Sequence, residues 1–398
     1  MSSSIKIVIV GNGFGGTYAL KHLHKFLCND KRVEITIIGE KNYFLFTPLL
    51  HEVATGGVDP GHIIEPTHEI FRCCIAKFHV GRAEHINLKE RKVKISGVGG
   101  EETLLYDYLV LAPGSRTNFY GIPGANKFTL ELKSVGDAIK IKNHIVGTAE
   151  NPAGSNFIVV GGGPTGVELA CELKEFLGQM KSSAEVYLIE KGDEVLTQFG
   201  PRMRKGALKI LKKKGVRVLL NSRVKEVNPS GVILENGENI KSKSIFWVAG
   251  IRPNEINFEE NPKKLGDGRL VVNKYLELEG KSGVFALGDA AACPEGEGFL
   301  PALAQVAEKQ SKTVAKNIYL SIKKRSMAPF RYRSAGSLVS LGQWHAIGEI
   351  YGLYISGPLA WLLWRGVYLS KLISLKQKIK VALDWIIDAF LPRDISKI

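Results

Sequence analysis

The sequence predicts an α/β chain in which a parallel sheet with covering helices is built twice, and three observations carry that prediction. Apolar strands alternate with helical stretches from residue 5 onward. A glycine-rich strand–turn–helix motif, IKIVIVGNGFGG, returns 150 positions later as NFIVVGGGPTG. In both copies an acid ends the next strand, Glu40 in VEITIIGE and Glu190 in AEVYLIE, each 29 positions beyond its first glycine.

The first motif sets Gly11, Gly13 and Gly16 around Phe14 and Gly15; the second sets Gly161, Gly163 and Gly166 around Pro164 and Thr165. The first glycine allows a sharp bend. The second lets the backbone approach a pyrophosphate, and the third lets helix pack on strand. Phosphates then meet free N–H groups at the positive end of a helix. The acid accepts hydrogen bonds from a ribose diol. A lone GxGxxG is weak, but each copy here has its strand, its helix and its acid in place. The fold is therefore two Rossmann-like dinucleotide-binding domains, and a chain that holds two nucleotides together is equipped to pass electrons between them. Glu190 would repel a 2′-phosphate, which favours NADH over NADPH at the second site. Lys191 beside it reads as a solvated loop charge.

The repeat extends past the glycines. The strand in LLYDYLVLAPGSR has a counterpart in SIFWVAGIRPN: strand, small residue, glycine, basic residue. KSGVFALGDAAAC, Lys281 to Cys293, reads as a return to the first domain, which makes the second an insertion. The expected boundaries are 1–123 with 270–325 for the first domain, 124–269 for the second, and 326–398 for a C-terminal α+β region. Residues 330–356 read as a small β-hairpin or meander, with Arg331 and Arg333 as surface charges. From Leu359 to Leu391, apolar residues recur at helical spacing: Trp361, Trp364, Tyr368, Leu372, Leu375, Ile379, Ala382, Trp385 or Ile386, and Phe390. Arg365, Lys371, Lys376, Lys378 and Lys380 punctuate them, and a break into two helices is expected around Lys376–Lys380. A basic amphipathic stretch with Trp and Tyr at its edge suits a membrane interface. It equally suits packing on the protein's own core or a homodimer interface.

Composition narrows the class. The 398 residues are 44% hydrophobic and 23% charged, ordinary for a globular chain of two to three domains. Cys28, Cys73, Cys74, Cys171 and Cys293 form no CxxC or zinc spacing. They read as reduced thiols of a cytoplasmic compartment, with buried packing preferred to a vicinal disulfide for Cys73–Cys74. MSSS runs straight into the first strand, so no leader is expected. No apolar run reaches 18 residues, so no span is expected. The net charge of +15 asks for an anionic partner. No nucleic-acid motif is present, and the basic residues become organised only at the C-terminus.

These motifs, with YFLFTPLLHEVATG (Tyr43 to Gly56), LAPGSRTNFYGIPG, FALGDAA, LPALAQVAEKQ and AWLLWRGVYLSKL, resemble the glutathione-reductase-like two-dinucleotide flavoproteins. Within them the chain resembles the type II NADH dehydrogenases, single-subunit NADH:quinone oxidoreductases of respiratory membranes. The resemblance implies non-covalent FAD on Gly11, Gly13, Phe14, Gly15, Gly16, Glu40, Lys41, Thr47, Ala112, Gly114, Ser115, Gly288, Asp289, Ala304 and Gln305. It implies NADH on Gly161, Gly163, Pro164, Thr165, Gly166, Glu168, Glu190, Ala249 and Gly250. It places Asp289 at the flavin's ribityl or pyrophosphate region, Thr47 and Pro48 beside the isoalloxazine, and Glu168 near the nicotinamide. The family's disulfide reductases carry a cysteine pair after the first acid, and residues 41–57 contain none. The spaced pair of a sulfide:quinone reductase is also not evident, since Cys171 reads as core and Cys293 lacks a partner.

Hydride transfer needs alignment more than a strong acid or base. Quinone reduction consumes two protons, so polar donors are required. Candidates are Glu168, Gln305 and Gln310, with Thr47 and Pro48 against the ring. His51 is a weaker candidate, better read as a satisfied structural histidine. Gln305 and Gln310 also fit plain helix N-terminal polarity. The resemblance implies a second glutamine where Lys309 stands. No metal site is expected. The resulting expectation is an FAD-dependent enzyme passing electrons from NADH to a membrane quinone without proton pumping. It would bind the anionic cytoplasmic face of the cell membrane through its C-terminal helices. The alternatives are a soluble NADH-dependent reductase of an iron–sulfur or rubredoxin-type acceptor, a sulfide:quinone reductase-like enzyme, and a non-catalytic redox sensor.

Overall fold

The computed structural model describes residues 4–70, 75–97, 99–149, 156–334, 336–393 and 396. Cys73 and Cys74 lie outside them. The chain divides into two compact units. The first comprises Met1–Phe44, Glu65–Arg116 and Ile251–Arg333; the second comprises Leu45–Ile64, Thr117–Gly250 and Ser334–Ile398. Residues 251–269, expected with the second domain, thus belong to the first unit. Residues 334–398, expected as a region of their own, belong to the second.

In the first unit, the apolar strand Ile5–Val10 pairs in parallel with Val33–Gly39 on one side and Tyr108–Leu111 on the other. Val284–Ala286 then adds in parallel to Tyr108–Leu111, so the chain does return to its first sheet. Ala76–Asn87 continues the sheet beyond Val33–Gly39 and turns into an antiparallel meander with Lys92–Gly97 and Gly100–Leu105. Helix Phe14–Leu27 packs on helix Ala304–Ile322. The core is largely aliphatic, with Ile7, Ile9, Leu20, Leu23, Leu109, Val110 and Val314 buried around the Phe285 ring.

In the second unit, a five-stranded parallel sheet runs in the order Leu130–Glu131, Ser244–Trp247, Phe157–Val160, Val186–Ile189, Val216–Leu219. Phe157–Val160 is buried at every residue, as a strand covered on both faces must be. An antiparallel meander of Val224–Asn228, Gly231–Leu234 and Asn239–Lys241 follows.

The C-terminal segment opens with the three-stranded antiparallel meander Gly336–Ser340, Ala346–Ile350, Leu353–Gly357. Helices Pro358–Lys371 and Leu375–Phe390 follow. The break comes earlier than Lys376–Lys380, because the Ser374 hydroxyl accepts a hydrogen bond from the Gln377 N–H and caps the second helix. The tryptophans are not interfacial anchors. Trp364 is 0% and Trp385 3% exposed, and Trp361 and Leu372 are buried with them. The Arg365 guanidinium lies over the Trp361 and Trp385 rings, 3.8 and 4.8 Å from their centroids, and fixes this packing. Other members of the expected stripe face outward, Leu375 (72%), Phe390 (80%), Ile379 and Ile386, together with Leu359 (69%), Leu362, Leu383 and Ile387. The two helices are apolar on both sides, and one side faces outward. No helix among the described residues is long and apolar enough to cross a membrane.

Candidate active site

The two glycine turns share one geometry. Gly11 has φ +100° and Gly161 φ +116°, a region L side chains rarely adopt. A Cβ on Gly11 would lie 2.1 Å from the Ala112 carbonyl, and one on Gly161 would lie 2.5 Å from Ala249 Cα. A Cβ on Gly16 would meet the Gly11 carbonyl at 1.8 Å, and one on Gly166 would meet the Gly161 carbonyl at 1.8 Å. At Gly13 and Gly163 nothing lies within 4 Å of that position. These two residues are the N-caps of helices Phe14–Leu27 and Pro164–Gln179, and neither helix has a side-chain cap. Each turn therefore offers open space in front of uncapped N–H groups, which is what a pyrophosphate needs.

In the first unit, Asp289 and Ser115 are joined by a 2.5 Å hydrogen bond. The Gly288 N–H donates to Gln310 Oε1 at 2.7 Å, so the buried Gln310 side chain holds the Gly288–Asp289 turn. Ala304 and Gln305 open helix Ala304–Ile322, whose N-terminus also lacks a side-chain cap. Lys309 points elsewhere: its Nζ donates to the Arg333 carbonyl and lies 5.0 Å from the Tyr332 ring. Glu40 is exposed, with Arg82 at 3.8 Å. Lys41 Nζ lies 5.7 Å from the Tyr43 ring. Phe14 packs edge-on to Phe44. Asn12 escaped sequence reasoning: its carboxamide donates to the Lys41 and Tyr43 carbonyls at 2.7 and 3.1 Å and ties that loop to the glycine turn. Its place inside the motif was the available signal.

In the second unit, Glu190 accepts from the Gly162 and Gly192 N–H groups at 2.7 and 2.8 Å, which fixes its carboxylate at the turn. Lys191 Nζ lies 5.5 Å from the Tyr120 ring. The Tyr120 hydroxyl approaches Gly250, where a Cβ would sit at 2.0 Å. Thr47 and Pro48 form a short turn, Thr47–Leu49, which feeds directly into helix Leu50–Ala54. That helix buries His51 and Glu52. Glu168 is buried too: its Oε1 accepts from the Ser340 N–H at 3.2 Å and its Oε2 lies 3.7 Å from His51 Nδ1. Burial pushes the Glu168 carboxyl well above the usual range and pulls the His51 imidazole down to about 4.

Cys171 and Cys293 are both buried, and burial pushes the Cys293 thiol up to about 11 and the Cys171 thiol higher. Both are held as neutral thiols, not nucleophiles.

The chain matches the pyridine nucleotide-disulphide oxidoreductase family over residues 5–311 and the NDH2 C-terminal domain over residues 335–394. It is 30% identical to the type II NADH:quinone oxidoreductase Ndh of Mycobacterium tuberculosis, over 96% of this chain and 87% of that protein. This chain belongs to the type II NADH dehydrogenases. It is 29% identical to external NADH-ubiquinone oxidoreductase 2 of Saccharomyces cerevisiae mitochondria, over 98% of this chain and 82% of that one. Its fold matches NDH2 from Plasmodium falciparum in complex with NADH, with TM-score 0.89, 20% identity, and coverage of 99% of this chain and 100% of that one.

Proposed function

We propose that this type II NADH dehydrogenase holds FAD on the Gly11 turn and NADH on the Gly161 turn, and delivers the electrons to a membrane quinone. The chain is a flavin-dependent NADH:quinone oxidoreductase that pumps no protons. The observation that carries the reading is the doubled turn: two uncapped helix N-termini with the same glycine contacts, each followed by its acid. Gly13, Ser115 and Asp289 would hold the flavin nucleotide, with Gln310 fixing the Asp289 turn instead of meeting quinone. When bound, the flavin supplies a two-electron relay between nicotinamide and quinone. Gly163, Glu190, Ala249 and Gly250 would seat NADH, and Glu190 would select against a 2′-phosphate. Glu168 would be the proton donor to the quinone head. A buried carboxyl that keeps its proton at neutral pH suits that task.

The exposed ridge of helices Pro358–Lys371 and Leu375–Phe390, with Lys371, Lys376, Lys378 and Lys380 alongside, is the membrane-facing surface, on the cytoplasmic side. Anaerobic stopped-flow tests the whole reading. NADH should bleach the flavin well before NADPH does, and a short-chain quinone should restore it. A flavin that NADH reduces but quinone leaves reduced would sink the proposal.

A further inference from the structure

Tyr120 is large, 54% exposed and held at φ +52°, in the left-handed region that bulky side chains avoid. A backbone of that kind persists only where its surroundings over-determine it, and such residues gather at active sites and ligand clamps. Asn118 supplies the constraint. Its N–H donates to the Gly250 carbonyl at 3.0 Å, and its carbonyl accepts from the Trp247 indole N–H at 2.9 Å. Its side-chain oxygen accepts from the Tyr120 N–H at 2.9 Å. Trp247 is buried at the end of strand Ser244–Trp247. Tyr120 is thus fixed to the strand that runs on into Ala249 and Gly250.

The ring meets Gly250 with its edge. A Cβ there would lie 2.0 Å from the Tyr120 hydroxyl, 2.8 Å from Cζ and 3.0 Å from Cε2, so only glycine admits the ring. The hydroxyl donates to the Ala249 carbonyl at 3.5 Å. Edge contacts leave the faces of the ring for other partners, and Lys191 Nζ lies 5.5 Å from its centroid. Burial and the neighbouring Glu190 carboxylate both raise the Tyr120 phenol above its usual range, so the hydroxyl keeps its proton.

The dinucleotide motif fixes what should stand beside this ring. Pyrophosphate meets the Gly161 turn, and the ribose diol meets Glu190. The base carried by that ribose then lies next to Glu190, where Tyr120, Lys191 and Gly250 converge. We propose that Tyr120 is the stacking platform for the adenine of NADH, and so sets how strongly the enzyme reads the half of its substrate that does no chemistry. The proposal rests on the NADH reading of the Gly161 turn. Adenine presents a flat π-face, and an exposed aromatic ring on a rigid backbone is the matching surface. Because adenine is remote from the hydride, the contact is equally strong in the ground state and the transition state. Its loss therefore appears in KM and not in kcat. No bond or proton changes hands at Tyr120, so its hydroxyl is dispensable and its ring is not.

The test uses the full-length flavin-loaded enzyme with two variants. Tyr120→Phe keeps the ring, and Tyr120→Asn removes it while tolerating the left-handed backbone. The substrates are NADH and reduced nicotinamide mononucleotide, which carries the hydride without the adenosine. Tyr120→Asn should raise KM for NADH about tenfold with kcat unchanged. Calorimetry should show ADP-ribose binding weakened by the same factor. Tyr120→Phe should match wild type in both measurements. kcat/KM for the mononucleotide should be the same in all three enzymes, and their melting temperatures should agree within about 2 °C. An unchanged NADH KM in Tyr120→Asn would overturn the platform, as would an equal loss with the mononucleotide or a Tyr120→Phe enzyme as impaired as Tyr120→Asn. Tighter ADP-ribose binding in Tyr120→Asn would overturn it too, because the ring would then be filling the place of the base. A wild-type enzyme that takes the mononucleotide as readily as NADH would instead overturn the reading of Glu190 as the ribose acid, since no part of the adenosine would be recognised.

Discussion

Glu190 receives two backbone N–H groups, which fix its carboxylate at the turn proposed to seat NADH. Fixed negative charge there would discriminate against a 2′-phosphate, while Lys191 is engaged over Tyr120. Glu190→Gln should raise kcat/KM for NADPH relative to NADH by roughly tenfold, about 1.4 kcal/mol. An unchanged ratio would show that selection lies elsewhere. Arg393 gives a second residue-scale prediction. It is buried between Glu172 and Asp388, so Arg393→Met removes the ion pair of Glu172 and leaves Asp388 only Arg365 at 3.9 Å, and should cost about 3–5 kcal/mol in urea unfolding. A loss under 1 kcal/mol would mean that the acids simply take up protons. These two residues differ in how they could be read. Glu190 was legible because a fixed spacing ties it to its glycines. Arg393 was not, because Glu172 lies 221 positions away and no local pattern links them. His51 is the intermediate case: its type and neighbours were visible, but the acids around it arrive from helices distant in sequence.

At the scale of elements, periodicity revealed the C-terminal helices but not their orientation. A helix apolar on one side has one reading, whereas these are apolar on two. Trp361 and Trp385 went inward because Arg365 stacks on both rings and Glu52 accepts from the Trp385 indole N–H there. Leu375, Ile379, Leu383 and Ile386 have no such partners and remain outside. The strands of the paired sheets were legible for the opposite reason, since a run such as FIVV admits one environment. The helix faces can be separated experimentally. Ile379→Ser with Leu383→Ser should release the enzyme from lipid vesicles while leaving its melting temperature within about 1–2 °C. Trp385→Ala should do the reverse, costing about 3–5 kcal/mol as a large buried side chain is lost. Vesicle flotation and thermal unfolding on the same samples decide it. Retention of the double variant on vesicles would remove this ridge as the membrane contact.

For the whole molecule the governing quantity is the net charge of +15. Neither nucleotide turn needs it, and most ion pairs sit at the surface, where each contributes little to stability. A field of that size acts on partners instead. An anionic bilayer would feel it through the lysines beside the exposed ridge, each worth on the order of 1 kcal/mol near the surface. The ridge itself would bind by apolar burial, which salt does not screen. The two contributions therefore predict a characteristic salt response. The Debye length shrinks from about 10 Å at 0.1 M to about 3 Å at 1 M. On vesicles containing anionic lipid, binding should fall at least tenfold between those concentrations and then level off. On neutral vesicles it should start at that lower level and change little. Oxidation of NADH by a short-chain soluble quinone should keep its rate across the series, because that acceptor does not depend on attachment. Loss of all binding at 1 M salt would mean that charge alone holds the enzyme on the membrane. Salt-independent binding to both vesicle types would mean that the positive charge serves a different, acidic partner.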